Sequence, residues 1–190
     1  MIDLDDPIAV LLAVERAMRL AGHQVAAYGG LVLAVYGEPR ETRDADLAVV
    51  GIDGGVACAA LRIAGLDASL SFDRVRFGGN LVSRVALVGG SALNTADFVE
   101  PRSARFARSA LERAPTGKLR DQELRLLSPE DFVLFKVLST RDRDLEDAVS
   151  VVRACGEQFD PKRVEAEARL LSVEIPDHDV TGRLARVLTV

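Results

Sequence analysis

The 190-residue sequence has no tryptophan, and it contains only two cysteines, two histidines and two methionines. Each shortage excludes something. Cys58 and Cys155 stand far apart, whereas a disulfide framework or a zinc site needs closely spaced sets. They are expected to be plain thiols. His23 and His178 have no partner at metal-ligand or catalytic-triad spacing, so no role is assigned to them. There is no run of about 18 apolar residues to serve as a membrane span. The opening string Met1-Ile2-Asp3-Leu4-Asp5-Asp6 is acidic where a secretory leader would be basic. A cytoplasmic protein without a membrane partner is therefore expected. The formal net charge of −5 lacks the basic excess that a general nucleic-acid coat needs for its phosphate contacts.

Apolar residues are plentiful. At 48% hydrophobic and 28% charged, the chain is too apolar for disorder, and its length fits one domain or one domain with a compact helical extension. From Pro7 to about Ala21 the apolar residues recur at helical spacing, with Asp5 and Asp6 as candidate caps. Val25 to Tyr28 reads as a short strand, Gly29-Gly30 as a turn, and Leu31 to Tyr36 as a short buried helix. Asp44 to Val50 begins polar and becomes continuously apolar, as a central strand with an exposed carboxylate end would. A helix over 56–64 follows. Strands over 74–77, 82–88 and 93–99 are then separated by glycine turns, which predicts a β-meander. Beyond Pro101 the pattern is helical, interrupted by a small hairpin around 116–126. Ser128-Pro129-Glu130-Asp131 is a helix start with Ser at the cap and Pro at the first helical position. Further helices are predicted over 142–155, 161–173 and 177–188. The fold class is α+β: a small mixed sheet flanked by helices in a core over 1–115, then a hairpin and helical part over 116–190 packed on it.

Asp-x-Asp occurs four times, at Asp3/Asp5, Asp44/Asp46, Asp142/Asp144 and Asp177/Asp179, so context must choose among them. Only Asp44/Asp46 opens a strand downstream of a glycine pair. Residues i and i+2 of a strand share a face, so these two carboxylates point into one space. Like charges that close raise each other's pKa unless a cation lies between them. Hard oxygen ligands select Mg²⁺, which keeps room in its shell for substrate phosphates. A glycine pair between strand and helix lets backbone N–H groups approach such a phosphate.

Tyr28-Gly29-Gly30, thirteen intervening residues and Asp44-Ala45-Asp46-Leu47 resemble the signature of the nucleotidyltransferase superfamily. The string from Tyr36 to Asp44 is similar to the AbiEii/AbiGii-type toxin branch and its relatives. Ser128-Pro129-Glu130-Asp131 followed by Lys136, Arg141, Asp144 and Asp147 is similar to that branch's lysine-bearing helix and Asp-x-x-Asp segment. The two matches together span about residues 25–155. The resemblance implies a polymerase-beta-like nucleotidyltransferase fold. It also implies a third carboxylate on a neighbouring strand, for which Asp97 is the candidate, so that Asp44, Asp46 and Asp97 hold two Mg²⁺ ions. Lys136 would then neutralise the triphosphate, with Asp144 orienting either Lys136 or an acceptor group. Gly29, Gly30, Arg40, Arg43, Asp144 and Asp147 would line the nucleotide site. The implied reaction moves an NMP from an NTP to a hydroxyl of tRNA or of a protein, in a toxin with a cognate antitoxin or in phage defence. Asp97 would take the hydroxyl proton.

Blander assignments compete. A strand-end aspartate forms turns, a helix lysine snorkels, and carboxylates at a helix start are favoured by the dipole. Arg102, Arg105 and Arg108 make a basic stripe that suits either an RNA backbone or plain solvation. Tyr28, Phe132 and Phe135 are assigned to the core. The alternative functions are a catalytically silent nucleotide- or partner-binding member of the same fold and a DxD glycosyltransferase. The second fits poorly, because the chain is short for the α/β domain that such enzymes need.

Overall fold

The computed structural model describes residues 2–189. Its centre is a five-stranded sheet of β1 (Ala26–Tyr28), β2 (Ala45–Ala48), β3 (Ala68–Phe77), β4 (Asn80–Gly89) and β5 (Ala92–Pro101), in the order β1-β2-β5-β4-β3. β2 runs parallel to β5 and every other pairing is antiparallel. The mixed sheet and the meander of β3 to β5 match the sequence expectation.

Helix α1 (Pro7–Leu20) packs across β2 and β5, and α3 (Gly54–Ile63) packs across β3 and β4. α1 starts where its sequence provides a start: the Asp6 carboxylate accepts hydrogen bonds from the N–H groups of Ile8 and Ala9, and Pro7 supplies a preset φ. Leu47 and Phe98, paired across β2 and β5, are almost fully buried. Alternation then turns Asp46 and Asp97 to the opposite face.

The glycine turn after β1 leads into a three-residue 3-10 turn, Gly30–Val32, and a single helical turn, α2 (Leu33–Tyr36). The helix expected there is thus very short, and its dipole is correspondingly small, because peptide dipoles must align over several turns to add. β3 begins at Ala68, six residues before the expected Arg74. Most of it is solvent-exposed because it is an edge strand with one partner, and its register slips between Leu70 and Phe72 and again between Phe72 and Val75. Such irregular, polar edge sequence carries no burial pattern to read.

After α4 (Ala104–Arg113), the hairpin of β6 (Thr116–Leu119) and β7 (Gln122–Arg125) returns the chain to β1, where the Leu127 N–H donates to the Ala27 carbonyl at 3.1 Å. Helix α5 (Pro129–Leu138) follows and is buried along nearly its whole length, from Glu130 to Leu138. Its Phe135 ring stands 5.3 Å from Tyr28 and 5.6 Å from Phe106, centroid to centroid, joining the sheet to α4. Three helices, α6 (Asp142–Cys155), α7 (Pro161–Glu174) and α8 (Val180–Leu188), complete the C-terminal part around it. One hydrophobic core runs from Leu4 to Val187.

The structure starts α4 after Arg102, so the expected arginine stripe is only partly helical. Arg105, on α4, pairs with Glu167 at 2.5 Å and with Glu174 at 2.7 Å, and Arg102, before it, pairs with Asp177, between α7 and α8, at 2.8 Å. Two of the three arginines thus serve the packing of this segment against the C-terminal part.

Truncation of the central aromatic is expected to be costly. Phe135→Ala should lower the unfolding free energy by about 3–5 kcal/mol in a denaturant titration, with the slope unchanged, because the cavity cannot collapse between three elements.

Candidate active site

Cross-strand register builds the first half of the site. Tyr28 on β1 is the partner of Asp46 on β2, Asp46 is the partner of Asp97 on β5, and Asp97 is the partner of Arg84 on β4. Four side chains therefore stand in a row across one face of the sheet. Asp44, two residues before Asp46, stands on the same face, and its Oδ1 accepts a 2.8 Å hydrogen bond from the Thr95 hydroxyl. Three of the residues singled out by sequence thus come together here: Asp44, Asp46 and Asp97 are neighbours.

Gly29 makes room for the central member. It has φ +78, and a Cβ on it would overlap the Asp46 carboxylate. The glycine is required here on both counts, as the backbone conformation and the close approach each exclude an L side chain. At Gly30 a Cβ would crowd Thr42 and the Arg40 guanidinium.

Burial is the main reason the Asp46 carboxyl is pushed up to about 7, with the neighbouring Asp97 and Asp44 charges adding to the rise and Lys136 and Arg141 opposing it. Asp97 is held differently. Arg84 closes a two-pronged fork on it, Nε to Oδ1 and Nη2 to Oδ2, both at 2.7 Å. The same guanidinium lies 3.6 Å from Asp44. Among the described residues no three His, Cys, Asp or Glu side chains stand ready-grouped as a metal cage. Asp44 and Asp46 nevertheless offer the hard oxygen donors that suit Mg²⁺, and the raised Asp46 carboxyl is one that a cation would relieve.

The second half is a buried ion cluster. Lys136, on α5, is 1% exposed; its Nζ donates to Asp144 at 2.6 Å and to Asp147 at 2.8 Å, and it lies 5.1 Å from the Tyr28 ring centroid. α6 supplies both carboxylates from its first two turns, reached through a short connection from α5. Arg40 forks onto Asp147 at 2.8 and 3.0 Å, while Arg141 and the Ser139 hydroxyl both donate to Asp144, at 2.7 and 2.5 Å. Burial raises the Asp144 and Asp147 carboxyls, but these cations and hydrogen bonds outweigh it and hold both below the ordinary value.

The two halves face each other across a cavity of about 570 Å³, within the range of small-molecule sites. Asp44, Asp46, Asp97, Lys136, Arg40 and Arg43 line it, as does Asp144, whereas Asp147 sits behind as the partner of Lys136 and Arg40. Gly29 and Gly30 are not on its wall; they shape it from behind through Asp46, Arg40 and Thr42. Part of the wall is apolar, with Phe72, Phe77, Val82 and Val99. Tyr28 also lines the cavity but belongs to the core with Phe132 and Phe135, as expected. Sequence reasoning missed Arg84, Thr95 and Ser139. Arg84 was within reach: from the two-residue turn Gly90-Ser91, six steps back along β4 and six forward along β5 place it opposite Asp97.

Among the described residues no helix is long and apolar enough to cross a membrane. No protein-family model matches the chain, and no curated protein matches it. Solved structures do. An antigenic nucleotidyltransferase-like protein from Paracoccidioides brasiliensis superposes with a TM-score of 0.53 at 17% identity, over 95% of this chain and 93% of that one. The antibiotic-resistance factor ANT(2'')-Ia superposes with a TM-score of 0.51 at 14% identity, over 88% of this chain and 94% of that one. With the sheet order and the flanking helices, these likenesses show that the chain has the nucleotidyltransferase fold.

Two measurements test this geometry. Gly29→Ala should destabilise the protein by roughly 2–4 kcal/mol in chemical denaturation, from a strained φ and displacement of Asp46. The raised Asp46 carboxyl makes the folded protein hold a proton that the unfolded chain releases at its ordinary 3.8. Its contribution to stability is therefore full below about pH 4 and lost as pH rises through about 7. Thermal melts of the metal-free protein from pH 4 to 8 should show this decline relative to Asp46→Asn, which removes it.

Proposed function

We propose that this protein is an Mg²⁺-dependent nucleotidyltransferase that moves an NMP from an NTP to an acceptor hydroxyl and releases pyrophosphate. The observation that carries the reading is the placement of the Asp44–Asp46–Asp97 row across one cavity from Lys136, Arg40 and Arg141. Asp44 and Asp46 would hold the divalent ion, which supplies charge neutralisation at the α-phosphate and polarises the reacting oxygens. Lys136, Arg40 and Arg141 carry three positive charges against two on Asp144 and Asp147, which leaves a surplus for the β- and γ-phosphates. Arg43, exposed on the cavity rim, adds to it. In the reaction the acceptor oxygen bonds to the α-phosphorus, the bond to the bridging oxygen of pyrophosphate breaks, and the hydroxyl proton passes to Asp97.

The wall also selects among acceptors. Five acidic side chains line it, but Asp97 and Asp144 are already ion-paired and Asp44 and Asp46 are reserved for the cation, so Glu41 alone is left to attract positive charge. A polycationic acceptor finds little here. A hydroxyl of tRNA or of a protein side chain fits better, and tRNA best matches the exposed Arg43 and Arg143 at the rim. The resemblance of the string from Tyr36 to Asp44 to AbiEii/AbiGii-type toxins motivates a toxin or phage-defence setting with a cognate antitoxin. A second reading, a catalytically silent nucleotide binder of the same fold, is favoured by one observation, the closure of Arg84 on Asp97.

The test is incubation with each α-labelled NTP, Mg²⁺ and total cellular RNA or lysate, beside an Asp44→Asn/Asp46→Asn double variant. Label should move to an RNA band with the wild type and fall at least 100-fold with the variant. Nucleotide binding without transfer from any NTP would favour the silent reading.

A further inference from the structure

The carboxylate row contains a cation of its own. Arg84 and Asp97 are direct cross-strand partners on β4 and β5, so the backbone register alone brings their side chains together. Both Asp97 oxygens are taken by the Arg84 fork at 2.7 Å, and the guanidinium carbon lies 5.6 Å from the centroid of the Phe72 ring. A guanidinium is always charged in a protein, so Arg84 leaves Asp97 only by rotating away from that ring and breaking both hydrogen bonds, never by losing a proton. A second ion about 3.5–4 Å from the first would call on carboxylate oxygens beyond those of Asp44 and Asp46. Asp97 is not free.

Charge points the same way. Asp44, Asp46 and Asp97 bring three negative charges to the row, and Arg84, on Asp97 and 3.6 Å from Asp44, cancels one. What remains is the charge of one divalent ion, and it lies on the two carboxylates of β2 and its approach. Resting on the reading above that this site takes a divalent cation, we propose that Arg84 is a resident cation of the site: it keeps Asp97 out of the metal's shell, so that Asp44 and Asp46 bind a single ion. Arg84 thereby stands where a second metal would otherwise be needed. It is a positioning residue, acting through Asp97.

The test counts ions instead of turnover. Mn²⁺ alone is titrated into the full-length wild type, Arg84→Met, Arg84→Met/Asp97→Asn and Asp46→Asn proteins, with free Mn²⁺ read by electron paramagnetic resonance and heats by calorimetry. Arg84→Gln is run beside Arg84→Met, and circular dichroism melts confirm which variants are folded. The wild type should bind one Mn²⁺, and Asp46→Asn should abolish or weaken that binding at least tenfold. Arg84→Met and Arg84→Gln should gain a second ion or bind the first at least tenfold more tightly, and Asp97→Asn should cancel the gain. Two ions on the wild type, or unchanged or weaker binding in folded Arg84 variants, would overturn the inference while leaving a metal-dependent transferase in place. Absence of Mn²⁺ binding to the wild type, with Asp46→Asn indistinguishable from it, would remove the underlying reading as well.

Discussion

The Asp46 carboxylate lies against a glycine that has no side chain to keep it away, with Asp97 on the next strand and Asp44 one pleat earlier. Such a group is unfavourable in the folded state when charged, which is what the rise to about 7 expresses. Its surroundings answer that demand. Arg84 takes Asp97 and approaches Asp44, and Lys136 stands near enough to lower the Asp46 carboxyl from the far side of the cavity. The row is therefore built to be completed by positive charge, and each flanking cation is fixed by a carboxylate of its own.

That fixing is also what holds the C-terminal part in place. Lys136 belongs to α5, its two acids to the next helix, α6, and Arg40 to the segment between α2 and β2, so one ion cluster ties this helix pair to a stretch of chain 107 residues before Asp147. Buried ions are costly to desolvate, and a pair of this kind repays the cost only when all members are present. The cluster gives little net stability for its number of contacts. What it gives is a single geometry, because each cation has its hydrogen-bonding directions assigned by the acids around it.

Much of this was legible in the sequence, and the reasons differ by element. The capped starts of α1 and α5, the meander and the alternation at Asp44/Asp46 are local signals, carried by residues within one turn or pleat of each other. The carboxylate row was legible because its spacing puts two aspartates on one face and a resemblance nominated the third. Gly29 was expected to let a phosphate approach the backbone; what the structure places against it is the Asp46 carboxylate. Arg84 escaped because an arginine inside an apolar strand says nothing until the hairpin register names its partner. The start of β3 escaped because an exposed, bulged edge strand needs no apolar pattern. The expected arginine stripe looked free because its acids, Glu167, Glu174 and Asp177, lie some sixty or more residues away.

The same contrast separates two parts of the cavity wall. Around the carboxylates and Lys136, Asp97, Asp144 and the cations Arg40, Arg84 and Arg141 are held by partners, and the chemistry can be argued from those pairs. Elsewhere on the wall Phe72, Phe77, Val82 and Val99 are apolar, and Asn80, which donates to the Phe135 carbonyl at 3.1 Å, has a buried Oδ1 that no described group satisfies. Apolar contact grades ligands by size and shape, not by identity. On the proposed reading the reaction class follows from charge, set by strand register and ion pairs. The choice of base would then rest on shape, on the irregular edge strand that carries Phe72 and Phe77, where sequence pattern is weakest.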